Sequence, residues 1–229
     1  IVYSITGEYD YGHYMSETGV KIKRIPTLFD KNTNDKSRKL NLIDRLLQRF
    51  FSRSLFYPDI ELMYRVSKIL AKEKDIDLLI TIAFPHTIHW GTAKYKKKHP
   101  DKFPSVWVSD CGDPYFFNPF FKAPHYFKKY EILSCQLTDY ITIPTIDAIG
   151  GYFKEFHSKI RIIPQGFDFS KTPADKYESN KVITFSFAGA VYDGKRDPRP
   201  FMEYLLVSGL EYKFIMYLRS PLEERYVVE

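Results

Sequence analysis

The most constraining feature of the sequence is an alternation, from about residue 76 onward, of short apolar runs with longer helical patterns. The clearest run covers 76–83, and others follow at 106–108, 140–143 and 160–163. Their spacing leaves room for a helix between successive strands, the order that winds a parallel sheet. Because apolar residues dominate the run at 76–83, we expect a strand buried on both faces, as central parallel strands are.

Three helical stripes accompany these strands, each with a polar opposite face, so each is predicted to cover a sheet. One helix is expected over 59–73, with Asp59 as its N-cap. The other two stripes are Tyr126, Tyr130, Leu133 and Leu137, and Ile146, Ile149, Phe153 and Phe156.

Residues 165–181 interrupt this rhythm with Gly, Pro, Ser, Asn and charged residues, a composition typical of a linker between domains. We therefore predict a first domain over 1–164 and the opening of a second over 182–229. The second should begin with a strand, a helix and a strand, at 182–187, 198–207 and 213–218. The predicted fold class is α/β, with a Rossmann-like parallel sheet and flanking helices in the first domain and a second such domain only begun.

Composition favours a globular protein with anionic partners. Lys and Arg number 34 against 28 Asp and Glu, a net charge of +6. No apolar run approaches the roughly 18 to 20 residues of a membrane span, and the start lacks the order of a signal peptide, so we expect a cytoplasmic protein. The only two cysteines, Cys111 and Cys135, are too few for a disulfide framework and are predicted to be buried small residues.

Residues 38–55 predict a basic amphipathic helix. An ordinary surface helix packed on its own domain is one interpretation, and a peripheral contact with the inner face of a membrane is the other. The apolar face holds Ile43, Leu46, Leu47, Phe50, Phe51 and Leu55, and the basic face holds Arg45, Arg49 and Arg53.

Five motifs follow one another along the chain. The strand at 76–83 leads into Pro85-His86-x-x-His89 and a lysine-rich helix, and the next strand ends in Asp110-x-x-Asp113-Pro114-Tyr115. The remaining three are Glu131 with Asp139 before a strand, Ile-Pro-Gln-Gly-Phe-Asp at 163–168, and Gly-x-x-Tyr with Arg-x-Pro-x-x-Phe in 189–201. In this order, over about 58–218, they resemble one branch of glycosyltransferase family four.

The chain departs from the family pattern at several points. Ala83-Phe84 replaces a small residue and a proline, Tyr115 replaces tryptophan, and Gln165 replaces asparagine. The family's first strand with its Gly-rich turn is expected before Ile1, and its paired-glutamate motif beyond Glu229. The resemblance therefore implies that this chain supplies only part of a catalyst.

The resemblance implies a GT-B glycosyltransferase, in which two Rossmann-like domains face each other across the reaction cleft. The first holds the acceptor, a glycan or lipid-linked molecule of surface polysaccharide assembly, and the second holds the nucleotide-sugar donor. Retention of anomeric configuration is implied, and no cofactor besides the donor substrate is expected.

Candidate site residues fall into two groups. Gly189, Lys195 and Arg196 lie between a predicted strand and a helix N-terminus, where a diphosphate would be favoured, and Arg196 is the first choice for its contact. His86 and Asp113 end successive strands, where open α/β sheets place ligands, so they are candidates for contacting or deprotonating the acceptor hydroxyl.

Several interpretations compete with these assignments. His89 is expected to be structural, and Glu131 and Asp139 are expected on one helix face beneath the cleft. The set His86, His89, Asp110, Cys111 and Asp113 has metal-ligating side chains but no tight framework, so no metal is expected. A non-catalytic GT-B fragment acting as a binding module, a GT-B sugar epimerase and a nicotinamide oxidoreductase are alternatives, although the last lacks a G-x-G-x-x-G motif. Nucleic acid is not an expected partner, since the basic residues are dispersed.

Overall fold

The structure, a computed structural model, describes residues 1–4, 11–28, 42–54, 59–120, 122–171, 178–192 and 194–218. The chain divides into two compact units, Ile1–Gly166 and Phe167–Glu229. Both units contain parallel strands flanked by helices, so the predicted α/β class is confirmed. No helix in these ranges has the length and apolar character needed to cross a membrane.

The α-helices and strands of the first unit are β1 (Val2–Ser4), α1 (Gly12–Thr18), β2 (Ile22–Arg24), α2 (Leu42–Arg53), α3 (Glu61–Leu70), β3 (Leu78–Ala83), α4 (Thr87–Lys98), β4 (Val106–Cys111), α5 (Lys128–Leu137), β5 (Tyr140–Ile143) and β6 (Ile160–Ile162). Four of these strands form a parallel sheet in the order β3-β4-β5-β6, and β1 pairs in parallel with β2 in a separate sheet. Leu78 of β3 lies opposite Val106 of β4, and Ala83 lies opposite Cys111 at the carboxyl ends.

Helix α4 is the centre of packing in this unit. Gly91 allows it to approach α3 closely, because a Cβ at this position would lie 2.5 Å from the Met63 carbonyl oxygen. Trp90, on the same helix, is buried and stacks on Phe127 with ring centroids 4.7 Å apart. The helix therefore links α3, the sheet and the segment before α5 into one core.

The predicted burial of β3 on both faces is wrong. Leu78, Ile80 and Ile82 are 51%, 54% and 60% exposed, while Thr81 on the other face is buried. In the described part of the chain, the face of β3 that carries Leu78, Ile80 and Ile82 is therefore not covered by a packed layer. The strand also lies at the edge of the described sheet. An apolar run in the sequence does not show whether one face of a strand or both will be covered.

Two helix predictions also need correction. The stripe at 146–156 forms two short 3-10 turns, Ile146–Gly151 and Lys154–Lys159, instead of an α-helix. Glycine is a poor helix former, and a Cβ at Gly151 would lie 2.4 Å from Pro114, so this position needs a close approach. Helix α3 begins at Glu61 after Ile60 and has no side-chain cap, so Asp59 is not its N-cap.

The second unit holds β7 (Ile183–Gly189), α6 (Arg199–Val207) and β8 (Tyr212–Leu218), as the alternation predicts. The two strands pair in parallel over their whole length. Phe201 of α6 packs against both strands, with its ring centroid 5.2 Å from Phe185 and 5.6 Å from Phe214. Apolar packing thus joins the helix to the two-stranded sheet.

Candidate functional site

The first candidate site lies at the carboxyl ends of β3 and β4. His86, the residue before α4, is only 7% exposed, whereas the Asp113 side chain is exposed to solvent. The Asp113 backbone carbonyl accepts a hydrogen bond from the His86 imidazole, so the structure brings these two predicted residues together. Burial nevertheless lowers the pKa of His86 to about 4, which leaves the imidazole neutral at neutral pH.

A chain of buried polar contacts runs beside His86. The Trp107 indole Nε1 donates to the Thr81 hydroxyl at 2.8 Å, and that hydroxyl lies 2.7 Å from Nδ1 of His89. The other ring nitrogen, Nε2, lies 3.3 Å from Sγ of Cys111. Both nitrogens of His89 therefore have partners, and burial lowers the pKa of this histidine to about 3.

Cys111 and Cys135 are both free and buried, as predicted. Burial raises the pKa of both thiols above their ordinary value, that of Cys135 to about 12. Each is therefore held as a neutral thiol at neutral pH when no cation is near.

A small cavity of about 10 Å³ opens within this group, about the room that a single water molecule needs. It lies under the carboxyl edge of the sheet, between β4, α4 and α5. Among the residues that line it are His86, His89, Cys111, Glu131, Cys135 and Tyr152. The volume is too small for a sugar.

Glu131 closes the cavity from the side of α5. Its carboxylate accepts the backbone N–H of Phe116 at 3.1 Å and thereby holds the segment that follows β4. Burial raises the pKa of this carboxyl to about 7, although its backbone hydrogen bonds oppose the shift. Glu131 is thus a buried structural contact that titrates near neutral pH.

Asp139 does not share a helix face with Glu131, because α5 ends at Leu137. It lies instead at the start of β5, where its carboxylate accepts the Trp107 backbone N–H at 2.8 Å and the Lys96 ammonium at 3.2 Å. The prediction of a common face is therefore wrong, since the helix stops before the second carboxylate.

The second candidate site follows β7 in the second unit. Gly189 ends the strand at φ +150°, a conformation that favours glycine. A tight turn comes next, closed by the Arg196 N–H bonded to the Tyr192 carbonyl at 2.9 Å and by the reciprocal bond at 3.2 Å. Lys195 and Arg196 are exposed on this turn, with the Arg196 guanidinium over the Tyr192 ring.

The N-terminus of α6 already faces an anion. Asp197 accepts the backbone N–H of Arg199 at 3.1 Å and pairs with its guanidinium. These bonds lower the pKa of Asp197 to about 2, so the carboxylate stays ionised. Asp197 would compete with a phosphate for the N-terminus of α6, and the sequence pattern did not predict this. Lys195 and Arg196 are the basic residues that the turn itself presents.

No protein-family model, curated protein or solved structure matches the chain.

The sequence prediction missed Thr81, Trp107 and Tyr152. Thr81 was detectable, because it is the single polar residue in the apolar run of β3, and a polar residue there needs a partner. Nothing in the pattern marked Trp107 or Tyr152, which look like ordinary core aromatics.

Proposed function

We propose that this chain is the acceptor-side domain and the opening of the donor-side domain of a GT-B glycosyltransferase. The observation that carries the proposal is the position of the motif residues. His86 and Asp113 follow the carboxyl ends of β3 and β4, and Gly189 ends β7. In open parallel α/β sheets ligands bind at this edge.

On the donor side, Arg196 and Lys195 are proposed to contact the diphosphate of a nucleotide-sugar. A departing nucleoside diphosphate gains negative charge, and fixed cations stabilise it in the transition state. The turn that presents Arg196 is held by two backbone hydrogen bonds and by the Tyr192 ring, so the guanidinium starts from a restricted position. Gly189 leaves the backbone before the turn open to close approach.

On the acceptor side, the Asp113 carboxylate is proposed to contact the acceptor hydroxyl. His86 is better suited to positioning, because its imidazole bonds the Asp113 carbonyl and a pKa of about 4 makes it a weak base near neutral pH. The acceptor would be a glycan or a lipid-linked glycan, and surface polysaccharide assembly is the setting that the motif resemblance suggests.

Helix α2 favours an acceptor presented at a membrane. None of its residues is buried, and Ile43, Leu46 and Phe50 are 67%, 56% and 66% exposed. Arg45, Arg49 and Arg53 line the other side of the helix, the composition of helices that lie on anionic membrane surfaces. Residues 38–41 and 55 of the predicted helix lie outside the described residues.

A binding module without catalysis is the second candidate, since a domain of this kind can bind a nucleotide without transferring a sugar. Thermal unfolding of the full-length protein tests whether donors bind. UDP- or GDP-sugars should raise the unfolding temperature, while NAD and DNA should not. Release of free sugar or transfer to an acceptor then separates the enzyme from the binding module.

The Arg196→Ala variant tests the diphosphate contact. Losing one charge-assisted hydrogen bond costs about 1.5 to 3 kcal/mol, so donor affinity should fall about 10- to 150-fold and transfer should be abolished or nearly so. Lys213→Ala is the matched control, because Lys213 is an exposed cation at the amino-terminal end of β8. Unchanged donor binding in Arg196→Ala would refute the assignment.

A further inference from the structure

The cluster beneath the carboxyl edge contains three side chains that bind transition metals. His86, His89 and Cys111 each offer one ligand atom, and these atoms lie within 4.8 Å of one another. All three residues are buried, at 7%, 3% and 5% exposure. Two imidazoles and a thiol are nitrogen and sulfur ligands, a set that suits zinc and does not suit magnesium or calcium.

One pair of these ligand atoms already has the spacing of a tetrahedral zinc site. Zinc bonds of about 2.0 Å to nitrogen and 2.3 Å to sulfur place the two ligand atoms about 3.5 Å apart. Nε2 of His89 and Sγ of Cys111 are 3.3 Å apart, so this pair already has the required separation. His86 lies one helical turn before His89, with the two ring centroids 5.8 Å apart and the rings steeply inclined.

The outer contacts also match a metal site. Ligating histidines usually donate their second ring N–H to a carboxylate, a backbone carbonyl or water, which fixes the ring and its tautomer. A threonine hydroxyl can accept the same bond. His89 has the Thr81 hydroxyl on Nδ1, at 2.7 Å, and His86 bonds the Asp113 backbone carbonyl. Thr81 can pass its own proton on to the Val108 carbonyl, at 3.4 Å, when His89 donates to it.

We propose that His86, His89 and Cys111 bind one zinc ion at the carboxyl ends of β3 and β4. Binding releases the thiol proton of Cys111, and both imidazoles bind as neutral ligands. The cavity of about 10 Å³ beside the cluster leaves a fourth position for one water molecule. The ion would tie the start of α4 to the end of β4, which carries the Asp113 segment, and this site does not depend on sugar transfer.

Metal content of the full chain, purified without chelators, tests the proposal. We expect about one zinc ion per chain, as for other three-ligand sites. After the zinc is removed, cobalt should bind in its place and produce a thiolate-to-cobalt charge-transfer band in the near ultraviolet. Cys111→Ser should lose both the zinc and this band, while Cys135→Ser, which changes the other buried thiol of the same cavity, should keep both.

The cobalt spectrum of the unmodified chain decides the question even if Cys111→Ser does not fold. Cobalt that binds without a thiolate band would show that the ion is held elsewhere, and would overturn the proposal. A chain that retains no zinc and takes up no cobalt would overturn it too, as would equal loss in both cysteine variants. None of these outcomes bears on nucleotide-sugar binding, which is measured separately.

Discussion

At the scale of single residues, the hydroxyl of Thr81 joins two buried rings, the Trp107 indole and the His89 imidazole. It accepts the indole N–H of Trp107 and lies against His89, which in turn contacts Cys111. Such groups are costly to bury alone, and each has a partner only because the others are in place. A single hydroxyl thus sets the orientation of the histidine beside the cavity.

The Thr81→Val variant keeps the shape of this side chain and removes its hydroxyl. Without zinc, stability should fall by about 1 to 3 kcal/mol, because the buried N–H of Trp107 loses its acceptor. Zinc affinity should fall about 10- to 100-fold, the usual cost of removing the outer partner of a ligating histidine.

Denaturant unfolding in a chelator and competitive zinc titration measure the two effects of this change. Thr92→Val is the control, since the Thr92 hydroxyl is also buried but bonds only the Ile88 carbonyl within α4. If both variants bound zinc as tightly as the unmodified chain, His89 would not depend on Thr81.

At the scale of elements, helices α5 and α2 of the first unit differ in how far the rest of the chain covers them. Lys159 closes the carboxyl end of α5, where its ammonium donates to the carbonyls of Cys135, Gln136 and Thr138 at 3.1, 2.7 and 2.7 Å. Helix α2 has the opposite character, with its apolar side chains exposed. Hydrophobic area left in water is unfavourable, so α2 would gain from an apolar surface.

From the exposed apolar side chains and the arginines of α2, we expect the chain to bind anionic membranes. The full chain should sediment with vesicles that contain phosphatidylglycerol and should not sediment with vesicles of phosphatidylcholine alone. Added salt should weaken the binding, because each basic residue near the surface contributes about 1 kcal/mol. Phe50→Ser should reduce the bound fraction severalfold through loss of about 2 kcal/mol of apolar burial.

Phe169→Ser is the matched control for the vesicle experiment, since Phe169 is 79% exposed and lies outside α2. Equal binding of Phe50→Ser and the unmodified chain would rule out α2 as the contact.

At the scale of the whole molecule, three buried groups around one cavity should govern the response to acid. His86 and His89 have folded pKa values of about 4 and 3, below that of a free histidine, so the unfolded chain takes up their protons first. Their contribution to stability is therefore lost as pH falls below about 6.5. Glu131 acts in the other direction, because its folded pKa of about 7 makes the folded chain hold a proton that the unfolded chain releases.

Between about pH 4.5 and 6.5 the unfolded chain binds two protons at the histidines that the folded chain does not bind. The folded chain binds one proton at Glu131 that the unfolded chain does not bind, so the unfolded chain holds one more proton in total. The summed contribution of the three groups to stability should then rise by about 1.4 kcal/mol per pH unit. Glu131→Gln removes the proton that the folded chain holds at Glu131, so the difference in bound protons becomes two. The unfolding free energy should then rise more steeply, by about 1.4 kcal/mol more per pH unit than in the unmodified chain.

Chemical denaturation of both proteins at several pH values, in the presence of a chelator, gives the two slopes. Equal slopes would show that Glu131 has the same pKa in the folded and unfolded chains. A smaller slope in Glu131→Gln would mean that the folded carboxyl is more acidic than the unfolded one.

The α/β class and the order of the strands from β3 to β8 could be read from the sequence alone, as could the candidate residues at the strand ends. Periodicity carries this information, because the 2.0 and 3.6 residue repeats are local properties of the chain. Three features are visible only in the folded chain: the edge position of β3, the separation of Asp139 from Glu131, and the contact of His89 with Cys111 across 22 residues. These outcomes depend on which strands pair and in what register, and Ala83 opposite Cys111 is a relation between distant segments that no local repeat encodes.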